Sequence, residues 1–282
     1  MNGKVWLITG TSRGLGREFA KAALSRGDRV AAVARNTASL DDLVAAHGDA
    51  VLPLSMDVTD RPAVFEGVKR AGEHFGRLDV IVNNAGHAQV GAIEELTERE
   101  LRDQMETNLF GAVWVVQAAL PYLREQRSGH IVQLSSAAGL IAMPLGGAYH
   151  ASKWALEGLN EALAAEVAEF GVKVTIIEPG GFATRDDKNP DPLANGHMAR
   201  NDPAYDGLRR RLGAFASKQP AGDPAAAAQT LLRIVDSDAP PLRVLFGQGF
   251  YPMIQRAYED RLQMWADGQE LSAAAHGTRR TA

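Results

Sequence analysis

The chain has 282 residues and not one cysteine. Disulfides, thiolate metal sites and a cysteine nucleophile are thereby excluded. A reducing compartment suits such a chain, and a cytoplasmic protein is expected. No apolar run approaches the roughly 20 residues that cross a bilayer. The amino-terminal run Val5-Trp6-Leu7-Ile8 soon meets Gly10 and Arg13, so it reads as a buried strand rather than a signal segment. Positive charge is not in excess. The formal net charge is -4, which leaves no global positive field to recruit nucleic acid or an anionic membrane. The seven histidines show no metal-ligand spacing, so no metal is expected. There is no internal repeat and no interdomain linker.

What is present is an alternation. Val5–Thr9, Arg29–Ala34, Val51–Met56, Val80–Val82, His130–Leu134, Val172–Ile177 and Arg243–Phe246 are short runs, apolar on both faces. Such runs suit a parallel sheet covered by helices on each side. Between them, Arg17–Ser25, Arg61–His74, Glu98–Leu123 and Lys153–Phe170 carry apolar residues at helical spacing. The expected fold is α/β: a doubly wound parallel sheet of Rossmann type, seven-stranded, with helices on both faces. One domain is expected over residues 1–271, followed by a flexible tail at 272–282. Residues 185–222 interrupt the alternation, with prolines first and then Tyr205, Leu208, Leu212 and Phe215 at helical intervals. A long excursion in a compact domain suggests a substrate lid. Arg209-Arg210-Arg211 within it reads as a solvated helix face.

Ligands of such sheets bind beyond the carboxyl ends of the strands. The first strand runs into Gly10-Thr11-Ser12-Arg13-Gly14-Leu15-Gly16, and a helix follows. Glycines on that turn let the backbone approach a diphosphate, and the helix start offers free amides. The second strand ends without an acid; Arg35 stands there instead, and Arg13 lies in the glycine turn. Two guanidinium groups suit a ribose 2′-phosphate, so NADP(H) is expected over NAD(H). Two plain surface arginines are the competing account.

Tyr149 and Lys153 are four apart and share a helix face. The pair follows the fifth strand and the loop Ser135-Ser136-Ala137-Ala138-Gly139. Asn83-Asn84-Ala85-Gly86 follows the fourth strand, Asn108 lies in the next long helix, and Pro179-Gly180 with Thr184 follows the sixth. Ser136 precedes Tyr149 by thirteen residues. In order and spacing these motifs resemble the short-chain dehydrogenase/reductase family over residues 3–250. The segment from Ser136 through Pro144 to Tyr149 is also similar to the hydroxysteroid and retinol dehydrogenase branch.

The resemblance implies a catalytic set of Asn108, Ser136, Tyr149 and Lys153. Tyr149 is the acid/base, Ser136 holds the substrate oxygen, Lys153 also binds the nicotinamide ribose, and Asn108 holds a relay water. Ser135 is the rival of Ser136, though the interval favours Ser136. A free tyrosine titrates at about 10, and an ammonium beside it is expected to lower that value. The implied cofactor contacts are the glycine turn from Gly10 to Gly16, Arg35, Asp57, Val58, Asn83, Ala85, Gly86, Tyr149, Lys153, Pro179, Gly180 and Thr184. Asp57 and Thr184 could instead be helix caps, although Asp60 suits the first cap better. Asn84 is expected to be structural, and Asp79 to brace the turn at Asn83.

Ser136, Met143, Tyr149 and Phe182 are the expected substrate contacts, with Ala88, Val90, Ala137, Leu145 and Met198 as further walls. Their apolar character suggests an uncharged, fairly hydrophobic ketone, aldehyde or secondary alcohol. His87 and His150 are expected to do no more than line the pocket. The resemblance also implies a homo-oligomer, dimer or tetramer. A dinucleotide sensor without catalysis is the alternative of another class. It should tend to lose the serine, tyrosine or lysine, and all three are present.

Overall fold

The computed structural model describes residues 3–183, 197–218 and 220–277. Seven parallel strands form one sheet: β1 (Val5–Thr9), β2 (Arg29–Ala34), β3 (Val51–Ser55), β4 (Val80–Asn83), β5 (Gly129–Leu134), β6 (Val172–Pro179) and β7 (Arg243–Phe246). Their order is β3-β2-β1-β4-β5-β6-β7. The chain winds outward from β1 to one edge, returns to β4 and proceeds to the other. The switch point therefore lies between β1 and β4.

Alternation within β1 shows why the sheet is covered twice. Trp6 and Ile8 pack with helices α1 (Gly14–Ser25) and α8 (Pro224–Asp236), whereas Val5 and Leu7 face α3 (Arg61–Phe75), α5 (Gly111–Gln126) and α6 (Gly147–Val167). All four are fully buried. Burying side chains of this size contributes roughly 1.5–3 kcal/mol each. Caps set the boundaries. Asp60 accepts from the Ala63 amide at the start of α3, Pro62 follows it, and Gly76 at φ 78° closes the helix. Asp223 and Pro224 open α8 in the same way.

The smaller elements frame the carboxyl edge. α2 (Asp41–His47) follows β2. Gln89–Val90 pairs in parallel with His197–Met198. Helix α4 (Glu98–Met105) joins α5 through a π turn, Glu106–Phe110, where one continuous helix was expected. Asn108 sits inside that turn. Extra-residue turns of this kind recur at functional positions. α7 (Asp206–Ala216) is the helix expected from Tyr205, Leu208, Leu212 and Phe215. α9 (Tyr251–Asp267) packs its first turn, through Phe250, Met253 and Ile254, on Ala137, Leu140 and Ile141. α10 (Gln269–His276) carries helical structure past residue 271, where the periodic pattern ends.

Candidate active site

The glycine turn begins at Thr9, whose hydroxyl accepts from the Asn84 and Ala85 amides. Gly10 and Gly14 have φ of 72° and 64°, a region that favours glycine. A Cβ on Gly16 would lie 2.3 Å from the Asn84 amide nitrogen and 2.5 Å from the Gly10 carbonyl. That close packing requires glycine. The Asn84 side-chain amide donates to the Thr9 carbonyl at 2.9 Å, so Asn84 is structural, as expected. Thr11 holds the turn to β2 by donating twice to the Val33 carbonyl, from its amide and its hydroxyl.

Helix α1 opens without a side-chain cap and without an acid in its first turn. Its first amides thus have no side-chain acceptor, the donor set that an anion fits. Arg13, in the turn, and Arg35, just after β2, are exposed. Neither guanidinium pairs with a carboxylate among the described residues. A dinucleotide diphosphate with a 2′-phosphate is compatible with that arrangement, and Gly10 to Gly16 with Arg35 would hold it.

Other expected contacts divide. Ala85 and Gly86 lie at the end of β4, and a Gly86 side chain would meet Asn108 Oδ1 at 3.0 Å. Asn83 turns the other way. Its amide bonds the Ala112 carbonyl and Gln133 in the core, so any contact with a ligand falls to its backbone. Asp57 accepts from the amide and hydroxyl of Thr59, while Asp60 caps α3. Val58 is buried and packs against Gly111. Asp79 does not brace the turn at Asn83. It lies at the opposite end of β4 and accepts from the Val5 amide at 2.8 Å. Thr184 lies outside the described residues.

Strands β5 and β6 and helix α6 bring the chemical groups together. Ser136 hydrogen-bonds the Tyr149 phenol, accepts from the Ala138 amide and donates to the Pro179 carbonyl at 3.3 Å. Ser135 is buried, and its hydroxyl has no partner among the described residues. The geometry thus separates the two serines in favour of Ser136. Lys153 is buried and donates to the Leu134 carbonyl at 2.7 Å. Its nitrogen lies 5.7 Å from the centre of the Tyr149 ring. Asn108 accepts from the His87 amide at 3.0 Å and donates to the His87 carbonyl and to Ser152. Ser152 in turn donates to the Tyr149 carbonyl at 2.7 Å, so the π turn is tied to α6.

The electrostatics correct one expectation. Burial pushes the Tyr149 phenol above its ordinary value, opposed by the Ser136 hydrogen bond. Lys153 is not the group that lowers it. Burial brings the lysine itself down to about 8, against the pull of Glu157, which favours the ammonium. A desolvated lysine near neutrality can hold a proton and release it readily.

Three further residues differ from the sequence reading. Phe182 is not a free wall: its ring packs on Gly222 and on the core beneath α1 and α8. His150 does more than line a pocket. Its Nε2 accepts from the Met143 amide at 2.9 Å, so Nδ1 carries the proton and donates to the Ala138 carbonyl at 2.8 Å. That neutral histidine fixes both ends of the loop that carries Met143. Arg209 is not solvated either. It pairs with buried Glu95 and with Asp206, and donates to the Asp202 carbonyl. Glu95 also accepts from the Asp202 and Ala92 amides, joining α7 to the loop after β4. The sequence offered little sign of it beyond a glutamate at the third position of a short turn.

The sheet and its site have counterparts. The family described as short chain dehydrogenase matches residues 4–192. The oxidoreductase BOA17 of Botryotinia fuckeliana is 42% identical over 276 residues, covering 96% of this chain and 99% of that protein. A short-chain dehydrogenase from Streptomyces avermitilis superposes with a TM-score of 0.86 at 40% identity, over 96% of this chain and 99% of its own. An alcohol dehydrogenase from the archaeon Thermococcus sibiricus, complexed with 5-hydroxy-NADP, gives a TM-score of 0.70 at 26% identity, over 86% and 95%.

Proposed function

The chain belongs to the short-chain dehydrogenase/reductase family and is an NAD(P)(H)-dependent oxidoreductase, and from that premise we propose that it reduces an uncharged, fairly hydrophobic ketone or aldehyde with NADP(H). The observation that carries the reading is the hydrogen bond between Ser136 and Tyr149, with Lys153 one helical turn behind, at the edge where the glycine turn opens.

When bound, the nicotinamide supplies the hydride. The protein's own groups do the rest. Ser136 and Tyr149 together hold the carbonyl oxygen and oppose the charge that develops on it. The Tyr149 hydroxyl gives its proton to that oxygen. Its high affinity for the proton keeps it protonated before the reaction, as an acid must be. Lys153, which holds and releases a proton near neutrality, supplies the proton that restores the phenol. Asn108, fixed by His87 and Ser152, sets the helix from which both groups project. Oxidation of an alcohol is the reverse. Half-buried Met143 contributes apolar surface for the substrate; of the expected lid, residues 185–196 lie outside the described residues.

The NADP(H) preference rests on Arg13 and Arg35, exposed and without carboxylate partners among the described residues. The complex of the archaeal relative with an NADP derivative is in keeping with it. A carbonyl panel read by loss of NADPH absorbance, repeated with NADH, tests both parts. Turnover of apolar carbonyls with the lower KM for NADPH is expected. Tighter use of NADH would remove the assignment of Arg13 and Arg35. Tight cofactor binding without turnover of any substrate would favour a sensor.

A further inference from the structure

Behind Lys153 the same helix face continues. Glu157 follows the lysine by one turn and is buried, and Glu161 follows it by another. Glu157 Oε2 pairs with Arg243 of β7, and Arg243 also binds Glu161 at 2.8 Å and buried Glu178 of β6 at 3.0 Å. Three carboxylates thus share one guanidinium. Burial and the nearby Glu157 push Glu178 up to about 7, against the pull of Arg243, so the cluster is short of positive charge. Glu157 Oε1 has no hydrogen-bond partner among the described residues. It faces the loop that carries Ser136, where a side chain on Gly139 would begin 2.8 Å from it and 2.7 Å from the Ser135 hydroxyl.

A buried carboxylate with one oxygen unpartnered is costly unless a cation faces it. The charged groups around Glu157 are Lys153 and Glu161 on its own helix, Glu178 on β6 and Arg243 on β7. Lys153 lies one turn before Glu157 on the same helix face; the two form no ion pair, and they act on each other through charge at longer range. We propose that Glu157 is a positioning residue for proton transfer, keeping Lys153 in its ammonium form and directed towards Tyr149 while Arg243 holds Glu157 in place. This rests on the assignment of Tyr149 and Lys153 given above. It makes Arg243, on the last strand of the sheet, a distant support of the catalytic lysine.

A role confined to joining α6 to β7 would leave the lysine's titration unmoved, so the test reads that titration. The chain has seven lysines, few enough to follow by the carbon-13 shifts of their ε-methylene groups. In the protein without cofactor, Lys153 should titrate at about 8. In Glu157→Gln its midpoint should fall by about one pH unit, the scale set by one charge roughly 6 Å away at an effective dielectric of about 40. The basic limb of kcat/KM for carbonyl reduction should fall with it, with the rate at pH 6 retained. Glu161→Gln, an exposed neighbour on the same arginine, should move neither. If Glu157→Gln does not fold, Glu157→Met, which removes the charge without leaving a buried polar group, should move Lys153 in the same direction.

An unchanged Lys153 midpoint in both folded variants would overturn the proposal. So would an equal fall in kcat at every pH with the titration unmoved. A shifted lysine in a protein that reduces no carbonyl would instead overturn the catalytic reading and leave the charge coupling standing.

Discussion

The two ends of the sheet are built from similar residues and treat them in opposite ways. At the amino end the polar groups close on one another. Asp28 accepts from the Lys4 amide, the Trp6 indole and Arg26, and Asp236 pairs with Arg26 and Lys4. Asp79 accepts from the Val5 amide and pairs with Arg77. At the carboxyl end the groups stay open. Helix α1 begins uncapped, Arg13 and Arg35 lack carboxylate partners among the described residues, and the hydroxyls of Ser136 and Tyr149 meet. What distinguishes the two ends is whether the partners of their polar groups are already supplied. The closed end stabilises the fold, and the open end is organised for something yet to arrive.

That contrast can be broken most severely at Lys153. Lys153→Met should lower kcat/KM by roughly 10³-fold, since it removes the buried cation beside Tyr149. Steady-state rates with NADPH check this. A loss under tenfold would mean that the open end does not depend on its buried cation. Arg35→Ala should come next, weakening NADPH by roughly 10–100-fold through the loss of charge-assisted hydrogen bonds, with NADH little changed. Equal weakening of both cofactors would make Arg35 a general electrostatic aid.

The closed end should respond in stability and not in rate. Asp28→Asn should cost about 1–3 kcal/mol, because a buried hub of three donors loses its charge. Urea unfolding measures it, and kcat per folded molecule should not move. A kcat defect without destabilisation would dissolve the distinction between the two ends.

His130 gives a smaller, pH-dependent effect at the same end. Thr175 donates its hydroxyl proton to the Pro241 carbonyl, so His130 Nε2 must be the donor to Thr175. Nδ1 is left without a partner among the described residues. Burial, then the charges of Lys173 and Lys4, hold His130 down at about 4. Its folded value lies below the unfolded one, so its contribution is complete above about 6.5 and is lost as pH falls towards 4. Over that window the loss is on the order of 3 kcal/mol. Unfolding free energies of the wild type and His130→Gln at pH 7 and pH 4.5 isolate it. A pH dependence unchanged in the variant would assign the effect elsewhere.

How much of this was legible in the sequence follows from where the partners lie. The seven strands were readable because each is apolar on both faces, and the glycine turn because its neighbours in sequence are its neighbours in space. Asn108, Ser136, Tyr149 and Lys153 could be placed because each follows a strand or rides a long helix. Long-range pairs left no such trace. Arg209 meets Glu95 across 114 residues, and Arg243 meets Glu157 across 86. Arg209 therefore read as an ordinary surface charge. Phe182 read as a pocket wall because an apolar residue in a loop carries no periodicity to say which side it faces. The π turn at Glu106–Phe110 inserts its extra residue without disturbing the apolar stripe, so α4 and α5 read as one helix.

The central claim is that the open end is organised around the Tyr149 proton. The direct test is a single turnover of Tyr149→Phe with NADPH already bound, followed by loss of the reduced nicotinamide signal on adding an apolar ketone. The expected result is cofactor affinity within about threefold of wild type and hydride transfer slowed by at least roughly 10³-fold. Hydride transfer at the wild-type rate in that variant would contradict the account.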